Sequence, residues 1–393
     1  MNRRNSIRLI GGGMLALGGA TLAGCSTDMP PAAVAAWARP RPDEPDLRRW
    51  ALAHAVLAPS SHNRQPWLVD LREPDAITLY VDRERLLPET DPWFRQIVVS
   101  QGTFLELLVI ALRQRRVEPA VELFPQGEFA PRALDERPVA RITWRPAERP
   151  APNPLFAQIL RRHTAKVAYD TTRSVPPRML AALADALPAT SGLRFGGTVD
   201  PARLEPLREL CMASARVEVR TPRTALESLR LTRIGPDEIE RHRDGISLMD
   251  PMVRAVTALG LFDRSQPPAP DSRGAKAAEA MFEDCSRSAM GFAWLTTDTA
   301  AHARAGTLRS AEVGAGRAYV RLQLQATALG LQMHPMSQAP QEFVEMQPHY
   351  DRLHMLVTGK PADVETVQMF CRIGYCAPQP HAPRRGVDAI IRA

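Results

Sequence analysis

Pro59-Ser60-Ser61-His62-Asn63-Arg64-Gln65-Pro66-Trp67 is the stretch of this 393-residue chain from which the fold is best read. It is a polar turn between a helix-like segment, Leu47 to Pro59, and a strand that Trp67, Leu68 and Val69 begin. The prolines fix its ends and leave hydroxyl, amide and backbone N–H groups to point at something. Read alone, such a turn is first a helix cap whose Ser and Asn serve their own backbone. Beyond it, Ile77, Leu79 and Val81 alternate as a strand does, whereas Ile97, Val98, Phe104, Leu105, Leu108 and Leu112 recur at helical spacing. Ala315, Ala318, Tyr319, Leu322, Ala326 and Leu329 also have helical spacing, and although Val320 to Ala328 alternates like a strand, Ala content and length favour a buried helix. Leu353 to Val357 reads as a late strand broken by Gly359-Lys360-Pro361. The expected class is therefore α+β.

The elements echo one another. Leu47 to Pro59 is answered by Met179 to Pro188, and Gly102 to Arg116 by Gly316 to Gly330, which predicts two related halves, residues 46–150 and 151–393. The second half is longer by an inserted segment, about 210–285, that is expected to be a lid. Within it Asp250-Pro251 reads as an N-cap with Pro at the first helical position, Gly260 as the stop, and Gln266-Pro267-Pro268-Ala269-Pro270 as a linker.

Composition limits the function. With 45% hydrophobic and 24% charged residues the chain is a folded globular protein. Its net charge of +7 is spread along the sequence instead of running in blocks, which disfavours nucleic acid as a partner. The first 25 residues have the layout of an export signal: Arg3 and Arg4, an uncharged stretch from Leu9 to Gly24 too short to span a bilayer comfortably, then Cys25. Leu22-Ala23-Gly24-Cys25 resembles a bacterial lipobox with Cys25 as the lipidated residue, the alternative being an ordinary signal peptide cut elsewhere. Arg3-Arg4 also resembles a twin-arginine signal. The protein is thus expected in the periplasm, lipid-anchored, with Ser26 favouring the outer membrane of a two-membrane cell. Residues 26–45, rich in Pro and Ala, read as a tether. Cys211, Cys285, Cys371 and Cys376 are expected as free thiols, with Cys371/Cys376 near enough to bridge if the chain turns between them. No Cys or His spacing matches a metal site. Gly314-Ala315-Gly316 lacks the preceding strand and the third Gly of a dinucleotide fingerprint.

Two further clusters carry chemistry. Arg162-His163-Thr164-Ala165-Lys166 places three potential cations and a hydroxyl within five residues, which suits a phosphate, though alone it could be a solvated helix end. Pro383-Arg384-Arg385 alone could be a frayed basic tail. Taken with Pro59 to Trp67, they resemble the FMN-binding nitroreductase family, whose fold is a central sheet flanked by helices. The resemblance implies that Arg162, His163, Thr164, Lys166, Arg384 and Arg385 hold the phosphate end of FMN, that Ser60, Ser61 and Asn63 face its ring, and that Met336 and Ser337 lie near flavin N5. Here the basic cluster follows the Pro-Ser-X-X-Asn turn instead of preceding it. That order is similar to the Acg-type branch, two fused half-units with a lid, as are Glu227-Ser228-Leu229-Arg230 and Arg243-Asp244-Gly245-Ile246. The implied protein is an exported FMN-binding oxidoreductase passing electrons through flavin N5, or else an FMN store without turnover. No catalytic side chain is assigned, and the electron donor and acceptor are unidentified small molecules. Each half lacks one motif: no Arg-His-Thr-X-Lys precedes the first turn, and Pro188 to Leu193 lacks the Asn and Gln-Pro-Trp. An intrachain pseudo-dimer with one FMN per chain is therefore expected, competent as a monomer.

Overall fold

A computed structural model describes residues 28–147, 153–188, 192–260 and 262–392. The expected export signal with Cys25, and Ala189, Thr190 and Ser191, lie outside them. Ten strands follow in order: β1 Trp67–Asp70, β2 Ala76–Val81, β3 Val117–Leu123, β4 Ala140–Pro146, β5 Arg194–Thr198, β6 Thr232–Ile234, β7 Ile246–Leu248, β8 Gly291–Asp298, β9 Gln332–Pro335 and β10 Glu365–Gly374. They form two four-stranded antiparallel sheets, β1-β2-β4-β3 and β5-β8-β10-β9, with β6 and β7 as a separate parallel pair. The class is α+β, as the mixed periodicities require.

The two central helices, Arg95–Gln114 and Leu308–Ala328, pack against each other between the sheets. Their crossing explains two glycines that helix propensity disfavours. A Cβ on Gly102 would overlap the Val313 carbonyl oxygen, and a Cβ on Gly316 would overlap that of Val99. Only hydrogen at both positions lets the backbones approach, at a cost of about 1 kcal/mol per Gly relative to Ala in a helix. Beside the crossing, buried Glu106 of the first helix accepts from Arg317 and Arg321 of the second, each at 2.8 Å.

The ends of the chain join the sheets. From β10 the C-terminal arm runs to the first sheet, where Ile391 bridges Val69 in parallel and the Arg392 N–H donates to the Val69 carbonyl at 2.8 Å. This path carries Pro383-Arg384-Arg385 past the Pro59–Trp67 turn, so these residues are not a frayed tail. At the other end, residues 30–38 are not a free tether: Ala33 and Trp37 are buried, in short helical turns Pro31–Val34 and Ala35–Trp37. An indole in the segment has somewhere apolar to go, which Pro/Ala richness alone did not signal.

Leu353 to Val357 is helical, within Gln347–Thr358, and not a strand. A five-residue apolar run fits either period. Here Tyr350, Leu353 and His354 face inward, the Val367 N–H donates to His354 Nε2 at 2.9 Å, and Gly359 ends the helix at φ +70°. The limits 210 and 285 fall inside two helices packed together, Pro201–Arg220 and Arg273–Arg287. The excursion proper is residues 221–272. In it Asp250 caps the Pro251–Ala258 helix by accepting from the Val253 N–H, and Gly260 lies at φ +69°. Among the described residues, Cys211, Cys285, Cys371 and Cys376 are all free.

Candidate functional site

The site is built where the arm, the Arg162 loop and the turn meet. Arg162 and Arg384 are buried, and neither has a carboxylate partner among the described residues. Arg162 donates to the Leu57 carbonyl at 2.8 Å and to Gln323 at 3.1 Å. Arg384 donates to Asn63 Oδ1 at 2.7 Å and to the Ala58 carbonyl at 3.2 Å. Both Nε–H groups remain without a partner, as do His163 Nδ1 and His381 Nδ1 beside them. Burial lowers the Arg162 pKa to about 10, and burial together with the Arg162 charge lowers that of Arg384. Burial also holds His163 below its ordinary value and His381 at about 4, so both imidazoles are neutral at pH 7. Two desolvated cations, two neutral imidazoles and four orphaned polar atoms in one place have the chemistry that suits an anion. Gln323, on the second central helix, fixes the loop by donating to the His163 carbonyl at 3.2 Å and Thr164 Oγ1 at 3.1 Å.

The turn beside this cluster is held in an unusual shape. His62, Asn63 and Gln65 have φ of +46°, +51° and +52°, a region that non-glycine residues enter only when their surroundings force them. The forcing contacts come from the first central helix: Thr103 donates to the Pro59 carbonyl at 2.6 Å, Gln101 to the Pro66 carbonyl, and Gln96 accepts from Ser61 Oγ at 2.8 Å. Ser60 Oγ accepts the Gln65 N–H at 2.9 Å. Ser60 therefore serves the turn's own backbone, while Ser61 is spent on the central helix. Asn63 instead faces the arm, donating to the Pro383 carbonyl at 3.1 Å.

Near the turn stands Lys166, solvent-accessible but with its pKa lowered by desolvation, and its charge is felt by His62, Glu218, Cys285 and His334. Burial raises Glu218 to about 7, so it is half protonated near neutral pH, with Gln341 donating to it at 2.6 Å. Arg372 sets the loop on which Lys166 stands: fully buried, it donates to the Ala165 carbonyl at 3.0 Å and the Val167 carbonyl at 2.8 Å.

The excursion covers the turn and is latched to the first half by the two motifs singled out in the sequence. Glu227 accepts from the Glu89 and Thr90 N–H groups, each at 3.0 Å, and His62 Nε2 meets Ser228 Oγ at 3.2 Å. Asp244, also buried, binds Arg85 at 2.7 Å, Arg233 at 2.9 Å and Arg64 at 3.1 Å. The Gly245 N–H donates to the Asn63 carbonyl at 3.2 Å.

The structure thus brings together Asn63, Arg162, His163, Thr164 and Arg384, with Lys166 near them. Ser60 and Ser61 are spent in the contacts just given, and two further expected residues face elsewhere. Arg385 turns away from the cluster to Asp82 at 3.3 Å, because successive side chains of an extended arm point to opposite sides. Met336 cannot offer its N–H to a ligand, since it donates to the Phe370 carbonyl at 2.8 Å. Ser337, next in the chain, has neither its N–H nor its hydroxyl committed. Sequence reasoning missed Trp37, Glu218, Gln323, Arg372 and His381. A lone Arg in the apolar run from Val367 to Ile373, and a Gln within a buried helix, were the available signals.

No family model matches the chain. A segment of 126 residues is 32% identical to an uncharacterised protein of Mycobacterium tuberculosis, covering 31% of this chain and 35% of that protein. A segment of 103 residues is 30% identical to a protein of the same organism named as an NAD(P)H nitroreductase, acg, covering 26% of this chain and 29% of that one. The matches therefore span about a third of the length of these relatives. Among solved structures, a chain from Anabaena variabilis named as a nitroreductase is 12% identical, with coverage of 88% of this chain and 91% of that one and a TM-score of 0.44. A nitroreductase with bound FMN from Bacteroides fragilis is 16% identical, with coverage of 60% and 95% and a TM-score of 0.33.

Proposed function

We propose that this chain is an FMN-binding oxidoreductase of the nitroreductase-like kind, two half-units fused so that one cofactor lies at the seam. The observation that carries the reading is the Arg162–Arg384 pair: two buried guanidiniums from distant parts of the chain, without a carboxylate, with both Nε–H groups unpartnered, beside Asn63. FMN fits that demand, because its phosphate brings about two negative charges at neutral pH and several strong acceptor oxygens. The 30% identity of a 103-residue segment to a protein named as an NAD(P)H nitroreductase supports the same class.

In this reading FMN, when bound, supplies the reversible two-electron chemistry. The chain's own residues do the rest. Arg162, Arg384, His163 and Thr164 hold the phosphate. Lys166 keeps a positive charge near the turn, and Glu218, with a pKa of about 7, can hold or release a proton beside it near neutral pH. Ser337 offers an N–H and a hydroxyl uncommitted among the described residues, and the excursion latched by Glu227 and Asp244 excludes water. The same latches favour a second reading, FMN held as a store, since buried ion pairs keep the excursion closed.

The test is the absorption spectrum of the purified protein and its titration with FMN, expected to saturate at one per chain, with binding kept on dilution to monomer. A colourless protein that takes up no FMN would reject the reading. Rapid bleaching by a reductant and reoxidation by an acceptor would select the enzyme over the store. The export expectation has its own test, because Cys25→Ala should release the protein from membranes or leave it unprocessed.

A further inference from the structure

One part of the cluster belongs to a segment to which no role has been assigned. Trp37 lies on the anion site, 8% exposed, with its ring stacked on His381 at 4.1 Å and 9°. His381 stacks in turn on His163 at 4.4 Å and 11°. Three rings from the N-terminal segment, the Arg162 loop and the C-terminal arm thus form one column. The guanidiniums of Arg162 and Arg384 stand 5.4 Å and 5.2 Å from the indole centroid. An aromatic face within about 6 Å attracts a cation, and more so where water is excluded. Trp37 is therefore the nearest thing to a counter-charge that the chain supplies to the two buried arginines.

The four orphaned atoms, Arg162 Nε, Arg384 Nε, His163 Nδ1 and His381 Nδ1, all belong to groups in contact with this ring or its column. The segment carrying Trp37 holds the arm through two hydrogen bonds: Trp37 Nε1 to the Ala382 carbonyl at 2.8 Å, and the Arg384 N–H to the Ala33 carbonyl at 2.9 Å. Both involve the residues flanking Pro383, so the segment's seat and the position of Arg384 depend on each other.

We infer that Trp37 and His381 are binding residues of the anion site, closing it over a phosphate held by Arg162 and Arg384, and that residues 30–38 act as a strap whose release accompanies ligand exchange. This rests on the reading of the cluster as a phosphate site, but not on FMN being the molecule that carries the phosphate. The strap adds specificity: a phosphomonoester end can satisfy both guanidiniums at once, whereas a single carboxylate leaves one bare under the ring.

The experiment uses the full mature chain with inorganic phosphate and with FMN as probes. Phosphate should change the tryptophan emission of the wild type, and the change should be absent from Trp37→Phe. Trp37→Ala should bind phosphate and FMN roughly ten-fold more weakly and release FMN correspondingly faster, with Trp37→Phe recovering most of the loss. Riboflavin, which lacks the phosphate, should bind both variants as it binds wild type. The imidazole NMR signals of His163 and His381 should shift with phosphate in wild type and Trp37→Phe, which keeps the test valid if Trp37→Ala folds poorly. Wild-type phosphate affinity and FMN release in Trp37→Ala would overturn the proposal, as would His163 and His381 signals that phosphate leaves unmoved. Phosphate binding through Trp37 without any FMN binding would leave the strap standing and reject FMN.

Discussion

Replacing Arg162 by Met separates what the guanidinium costs the fold from what it does for a ligand. Its pKa falls on folding from the ordinary guanidinium value to about 10, by burial. A base whose folded pKa lies below its unfolded one carries the full penalty at every pH under the folded value, and sheds it only as the pH rises from about 10 towards the unfolded value. At pH 7 that is about 3 kcal/mol held against folding. Opposing it are the hydrogen bonds to the Leu57 carbonyl and Gln323, each worth about 1 kcal/mol and somewhat more if its acceptor is left bare. The two effects nearly cancel, so ligand-free Arg162→Met should unfold within about 1 kcal/mol of wild type. Binding has no such cancellation. A charge-assisted bond to phosphate is worth about 1.5 to 3 kcal/mol, so FMN should bind roughly ten- to a hundred-fold more weakly, and riboflavin almost unchanged. Urea melts with and without FMN read both quantities, since a hundred-fold loss of affinity removes about 2.7 kcal/mol of ligand-induced stability at high FMN. If the variant lost several kcal/mol without ligand yet kept its FMN stabilisation, Arg162 would be a strut of the fold and the reasoning would be refuted.

Three other outcomes follow from the same geometry. Glu218 has a folded pKa of about 7 against 4.5 unfolded, so its ionisation opposes folding increasingly as the pH rises from about 4.5 to 7 and fully above; Glu218→Gln should raise the melting temperature most at pH 8 and least at pH 4, and an equal effect at both would count against a buried acid. Gly316→Ala should destabilise by about 2 kcal/mol, overpacking at the helix crossing outweighing better helix propensity. Gly314→Ala, where a Cβ meets nothing within 4 Å, should stabilise by up to about 1 kcal/mol, and losses of the same size at both positions would show that the crossing is not the cause. Asp244→Asn leaves three buried or half-buried arginines short of a counter-charge, so trypsin should cut residues 221–272 faster, with FMN slowing the cut; unchanged cleavage would remove Asp244 as a latch.

Local features were legible in the sequence. The spacing of Ile97 to Leu112 and of Ala315 to Leu329 gave both central helices, and the Gly102/Gly316 echo marked the pair of contacts at which they cross. The two clusters and the turn were found as strings, and Arg162, Asn63 and Arg384 do converge. What strings could not supply was direction. Arg384 and Arg385 look alike in sequence, but in an extended arm only one of two neighbours can face the cluster. Met336 and Ser337 differ in the same way: at the end of β9 one N–H pairs with β10 and the next is free. Trp37 and His381 were silent because their role depends on contacts between segments hundreds of residues apart.

The chain's composition makes this distinction sharper. Only three of its 50 cations are lysines, so Arg stands wherever a positive charge is needed, and a buried Arg is not in itself a sign of function. Among the described residues six arginines are buried, and their partners sort them. Arg95 pairs with Glu342, Arg309 with Glu312 and Arg64 with Asp244, which are structural ion pairs. Arg372 has no carboxylate but is spent on the carbonyls of Ala165, Val167 and Cys285, with Nε donating to His334. Arg162 and Arg384 alone among the described residues combine full burial, no carboxylate and an unpartnered Nε–H. A fold that elsewhere neutralises or saturates its buried guanidiniums leaves these two short of an anion. They are also the two that stand beside the Trp37 ring, with Arg384 on the strained Asn63 turn. The deficit is therefore located, and its size, two cations under an aromatic cap, is what a phosphomonoester would make good.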